Sequence, residues 1–203
     1  MEAPTQSSRQ VLERLAPTFT KAQAQAAGIT PHTLYALRDA GSIIELSRGV
    51  YRDAAAPETV HLDLLAVALR APAAVVCTES ALALYELIDD IPAEVSIAVP
   101  RGTRPPTITY PPVNVSRFDP GTFQLGVERW EAAPGEFVPV YGPARSVVDL
   151  MRLRHLYGES LALHALGRYL RSSERRDITE LMDFARALGV QGPVRAAVEA
   201  VLA

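Results

Sequence analysis

The pair Thr30-Pro31 and the glycine at 41 fix both ends of one short helix, and soon after that stop the chain turns back at Ser47-Arg48-Gly49. Thr30 is placed to cap the helix with its hydroxyl, and Pro31 stands at the first helical position, where its missing N–H is no loss and its fixed φ suits a helix. Ile29 before the cap and Leu34 after it form a hydrophobic staple. Leu34, Leu37 and Ala40 then fall on one face, and His32, Thr33, Tyr35, Arg38 and Asp39 lie off it. From Ser42 the period becomes two: Ile44 and Leu46 share a side, and Val50, Tyr51 and Arg52 return after the turn as a second strand. One helix and one hairpin this short need neighbours to bury their apolar faces.

Those neighbours lie upstream. Ser7 or Ser8 caps a helix carrying Val11, Leu12 and Leu15 until Pro17, and Thr20 with Gln23 predicts a capping box for a second helix that Gly28 stops. Three short helices and a hairpin are the layout of a winged helix-turn-helix, whose third helix enters the DNA major groove and whose hairpin lies along the backbone. On that plan His32, Thr33, Tyr35 and Arg38, beginning from Thr30, meet bases or phosphates. Lys21 at the start of the second helix, with Arg48 and Arg52 in the wing, holds phosphates. The competing account is a protein-docking module in which these arginines are solvated surface and Tyr35 packs on the hairpin.

Asp53 to Thr59, DAAAPET, is small and proline-bearing, and the pattern restarts beyond it. The boundary is expected there, with a DNA-binding domain over 1–54 and a second domain over 60–203. Helices are predicted over 60–71, 78–87, 144–156, 160–170, 178–188 and 193–202. Strands are predicted over 73–77, 95–99, 113–115, 127–130 and 137–140, and at Ile108. The fold class is α+β: a winged helix-turn-helix followed by a mixed domain ending in a helical bundle.

Charge limits how such a module could bind DNA. The chain of 203 residues has a net charge of -3. In its first part Arg9, Arg14, Lys21, Arg38, Arg48 and Arg52 barely outnumber Glu2, Glu13, Asp39, Glu45 and Asp53. A module making few phosphate contacts binds weakly, so affinity is expected from two copies on a repeated site. The lone Cys77 suits a reducing compartment, no leader pattern opens the chain, and no apolar run approaches a membrane span. A soluble cytoplasmic protein is expected.

Catalytic arrangements fail on residue type. Lys21 is the only lysine, so neither the E-x-K-like end of a restriction-type nuclease site nor a P-loop can be completed after it. Gly41-Ser42 lacks the downstream acidic pair of a nucleotidyltransferase. Ser80 has no flanking glycines and no spacing that ties it to His155 or His164, and His61 and Asp63 point apart on a helix. No catalysis, cofactor or metal is expected. In the C-terminal helices Arg152, Arg154, Arg168, Arg171 and Arg175 offer a basic patch for DNA, RNA or a protein, against the simpler account of a charged surface in which Arg152 pairs with Asp149.

Four blocks in order carry a resemblance: FTKAQAQAAGITPHTLYALRDAGSIIELSRGVYR, TESALALYEL, VSIAVPRGTR and VYGPARSVVDLMRLRHLYGESLALHALGRYL. Together they resemble the AbiEi antitoxins, the regulatory partners of bacterial type IV toxin-antitoxin systems. The resemblance implies an N-terminal winged helix that represses its own operon by binding promoter repeats in double-stranded DNA. It also implies a C-terminal domain that counters an adjacent nucleotidyltransferase-type toxin without forming a stable complex with it.

Overall fold

The computed structural model describes residues 11–173 and 176–202; the cap expected at Ser7 or Ser8, and Arg175, lie outside them. The architecture is α+β and divides into two compact units. The first comprises Met1–Pro72, Pro106–Pro112 and Trp130–Val138; the second comprises Ala73–Pro105, Val113–Arg129 and Pro139–Ala203.

In the first unit a strand, β1 (Thr18–Thr20), leads into helices α1 (Lys21–Ala26) and α2 (Pro31–Asp39), strands β2 (Ile43–Ser47) and β3 (Val50–Asp53), and helix α3 (Leu62–Arg70). The predicted capping box is present. The Thr20 hydroxyl accepts the Gln23 N–H at 3.2 Å, and the Gln23 side chain accepts the Thr20 N–H at 2.7 Å. Gly28 adopts φ +95°, a conformation that favours glycine, and lets Ile29 N–H reach Ala24 C=O at 3.0 Å. Thr30 caps α2 by accepting the Thr33 N–H at 3.2 Å. Leu12, Phe19, Ala24, Ile29, Leu34, Leu37, Ile43 and Tyr51 close one core. Ala40, expected on that face, is the exposed C-cap instead.

The hairpin differs from its expected register. A bulge between Glu45 and Ser47 adds a residue to β2 and breaks the alternation. Ile43 and Leu46 are therefore buried, and Ile44, expected to share a face with Leu46, is 50% exposed. β1 was not legible: it is three residues long and abuts a helix cap, too short for a period. It makes the sheet three-stranded in the order β1-β3-β2, pairing Phe19 with Tyr51.

The first unit also runs past the boundary expected over 53–59. α3 belongs to it, and two later segments join it. The Thr59 hydroxyl donates to Ala132 C=O at 2.5 Å, Ser47 Oγ donates to Tyr110 C=O at 2.6 Å, and Arg52 pairs with Glu136. The strand expected at Ile108 is absent; 106–112 is irregular. Among the described residues α3 packs against β1, β2 and β3, and Tyr110 and Glu136 tie the two later segments to the same sheet.

The second unit is built on β4 (Val75–Val76), α4 (Thr78–Leu84), β5 (Val95–Pro100) and β6 (Val113–Phe118). Strands β7 (Val127–Ala133) and β8 (Glu136–Tyr141) follow, then helices α5 (Pro143–Arg152), α6 (Arg154–Tyr157), α7 (Glu159–Arg171), α8 (Ile178–Ala187) and α9 (Gln191–Leu202). The sheet order is β6-β5-β4-β8-β7, and residues 130–138 of its last two strands count with the first unit. β5 runs parallel to β6 and antiparallel to β4, and Val75, Cys77, Ala98, Phe118, Phe123 and Tyr141 pack together. α5 carries Arg145 and Asp149 into full burial: Arg145 Nε donates to Asp149 at 2.8 Å, and its Nη1 reaches the carbonyls of Thr122 at 2.9 Å and Leu125 at 2.6 Å. Among the described residues no helix is long and apolar enough to cross a membrane.

Candidate nucleic-acid interface

α2 and the wing turn of β2–β3 are brought together by α1. The Lys21 N–H, the first of α1, donates to Gly49 C=O in the turn at 2.8 Å, and Gly49 adopts φ +78°. Lys21 therefore meets the wing through its backbone, and its side chain is left to reach Tyr35. Of the first N–H groups of α1, that of Lys21 is engaged by Gly49 C=O and that of Gln23 by the Thr20 hydroxyl, so neither is free for a phosphate.

The side chains form a groove of about 560 Å³, lined by Lys21, Tyr35, Arg38, Glu45, Arg48, Gly49, Tyr51 and Arg70. Tyr35 is its organising ring. Lys21 Nζ donates to the Tyr35 hydroxyl at 3.0 Å, and Arg38 Cζ lies 5.1 Å from the ring centroid, within cation–π range. Arg38 also pairs with Asp39 at 2.9 Å and Glu45 at 3.3 Å, which holds its guanidinium in place and offsets its charge. Glu45 in turn accepts the Gly49 N–H at 3.1 Å. Arg48 stands exposed at the turn.

The remaining predicted residues of α2 divide. His32 is exposed on the outer face. Thr30 and Thr33 are joined hydroxyl to hydroxyl at 2.9 Å and serve the helix cap, so their polar atoms are partly used before any ligand arrives. Arg52 is a correction. It is 3% exposed and donates to Glu136, to Thr18 Oγ1 at 2.6 Å and to Pro57 C=O at 2.7 Å. Burial among acceptors makes it a core residue and takes it out of reach of a phosphate.

The C-terminal arginines do not assemble into the expected patch. Arg152 donates to Asp149 at 2.8 Å with its guanidinium 4.8 Å from the Phe118 ring centroid, Arg154 donates to Met151 C=O at 2.7 Å, and Arg168 pairs with Asp89 at 2.6 Å. Arg171 is exposed, and Arg175 lies outside the described residues. Arg152 instead lines a groove of about 350 Å³ with Arg101 and Arg117. Sequence reasoning missed those two, as it missed Arg70, because the residues that each stands beside are neighbours only after folding.

Ser80 and His164 have structural partners. The Ser80 hydroxyl accepts the Ser96 N–H at 2.8 Å and donates to Glu94 C=O at 3.3 Å. His164 faces Asp89 at 3.5 Å. Cys77 is buried, which pushes its thiol up to about 12. Among the described residues no three His, Cys, Asp or Glu stand together in a metal-binding group.

Residues 6–52 match the model of a family described as transcriptional regulator, AbiEi antitoxin. The match covers α1, α2 and the hairpin as far as Arg52; the three later blocks of the resemblance lie beyond it. Comparison with curated proteins gives no match. Among solved structures, the crystal structure of the RV2827C protein from Mycobacterium tuberculosis is similar, with TM-score 0.61 and 17% identity over 99% of this chain and 82% of that one. At that identity the likeness is one of fold.

Proposed function

We propose that the AbiEi-type module of residues 6–52 makes this chain a sequence-specific DNA-binding transcriptional repressor of its own operon, and that the whole chain is an antitoxin countering a nucleotidyltransferase-like toxin. The observation that carries the DNA-binding half is the groove in which Lys21, Arg38 and Arg48 gather around Tyr35, where the exposed face of α2 meets the wing turn. α2 enters the major groove with His32, Thr33 and Tyr35 toward base edges, and the cations take flanking phosphates. With Glu45 and Asp39 offsetting Arg38, one copy makes few phosphate contacts, so two copies act on a promoter repeat. The antitoxin half rests on the description of the matched family.

A gel shift on the DNA upstream of the gene tests the first half. Replacing Arg38 and Arg48 together with alanine should abolish the shift while circular dichroism stays unchanged; undiminished binding by that variant would sink the assignment. Co-expression with the product of the neighbouring reading frame tests the second, and growth arrest that this chain fails to relieve would remove the antitoxin role.

A further inference from the structure

We infer that Arg70 is a fourth phosphate-facing cation of this interface, held in place by the wing turn it braces, so that the duplex-binding surface extends beyond the winged module into α3. The inference rests on the DNA-binding function proposed above.

Arg70 is the last residue of α3, whose buried Leu64, Leu65, Ala66 and Val67 anchor the helix, and Arg70 itself is exposed. A cation is favoured there by the helix dipole. Its Nη1 donates to Arg48 C=O at 3.3 Å and its Nη2 to Thr107 C=O at 3.0 Å. The side chain lines the same groove as Lys21, Arg38 and Arg48. Arginine has five N–H donors, so two bonds to carbonyls leave donors over, and the full positive charge remains because both acceptors are neutral. Arg38, by contrast, is offset by two carboxylates.

The bracing has its own consequence. Three successive turn residues are tied to different parts of the chain: Ser47 to Tyr110, Arg48 to Arg70, and Gly49 to both Lys21 and Glu45. A turn held this way loses little freedom when it meets a backbone, which favours binding by preorganisation. Lysine at position 70 would keep the charge and lose the planar fork that spans two carbonyls.

Fluorescence anisotropy of the full chain on its upstream DNA, titrated at several salt concentrations, decides it. Arg70→Ala should weaken binding roughly fivefold to tenfold and lower the slope of log K against log salt by about one. Arg70→Lys should restore the slope while binding more weakly than the native chain. Thermal melting of each variant keeps folding separate, and Arg70→Gln, which retains donors without charge, should share the lowered slope. An Arg70→Ala affinity equal to the native one, or a weakened affinity with the slope unchanged, overturns the inference. If the native chain itself fails to bind the upstream DNA, the underlying function fails and this inference with it, whereas native binding with an indifferent Arg70 removes Arg70 alone.

Discussion

Arg52 of β3 and Glu136 of β8, 84 positions apart, form an ion pair in which both side chains are almost wholly buried. The carboxylate also accepts the Thr18 N–H at 2.9 Å, so one acid fastens both β1 and β3. Removing one member of a buried pair strands the other charge at a cost of about 3–5 kcal/mol. Glu136→Ala should therefore destabilise the chain by about that much in urea denaturation. The double change Arg52→Met with Glu136→Leu should cost less than Glu136→Ala alone. Because Arg52 is a core residue, that double variant should keep the native salt slope in DNA binding; a lowered slope would return Arg52 to the interface.

Where local chemistry acts alone, the sequence was readable: Thr20 with Gln23, Thr30 with Pro31, and the glycines at 28, 41 and 49 each set their element without help from distant residues. Arg52 was misread because its partner is far along the chain and nothing near it marks burial. Ile44 was misassigned because a single extra residue at the bulge reverses inward and outward. Arg70 went unnoticed for the same kind of reason, since its carbonyl partners Arg48 and Thr107 are neighbours only after folding. The elements of the interface were legible, but the contacts that brace or offset its charges were not.

Glu45 sits among cations that are proposed to meet phosphate. Its carboxylate takes the Gly49 N–H and one side of Arg38, contacts that an incoming phosphate would otherwise use. Glu45→Gln retains a carbonyl oxygen for Gly49 and removes one of the two carboxylates that offset Arg38, leaving Asp39. The expected result is modestly tighter DNA binding, by no more than about fivefold because exposed ion pairs are weak, with a steeper salt slope. Anisotropy titrations measure both quantities, and affinity at or below the native level would show that Glu45 supports the wing more than it opposes the ligand.

Cys77 lies in the core of the second unit beside Tyr141 and Phe118, fully buried, with its thiol pushed up to about 12 chiefly by desolvation. The thiolate is the reactive form. In the native chain at neutral pH, a chromogenic disulfide reagent should therefore react at the rate of local or global opening, and in urea it should react stoichiometrically and fast. A rapid burst on the folded protein would contradict this packing.

His61 packs edge-on against Trp130, with ring centroids 4.6 Å apart, and Trp130 is the chain's single tryptophan. Burial lowers the imidazole below its ordinary value of 6.5, because the charged form loses hydration. In the unfolded chain His61 keeps its ordinary affinity for protons, so between 6.5 and the lower folded value the unfolded state binds more of them. This group's contribution is therefore fully present above pH 6.5 and is lost as pH falls through the folded value. The His61 share of stability in urea denaturation should be level above pH 6.5 and decline between 6.5 and the lower folded value. Trp130 fluorescence in the folded chain should titrate with a midpoint below 6.5. His61→Gln should remove the fluorescence step and flatten the decline; a midpoint above 6.5 would mean that protonation is favoured at this site and that the ring contact does not exclude water.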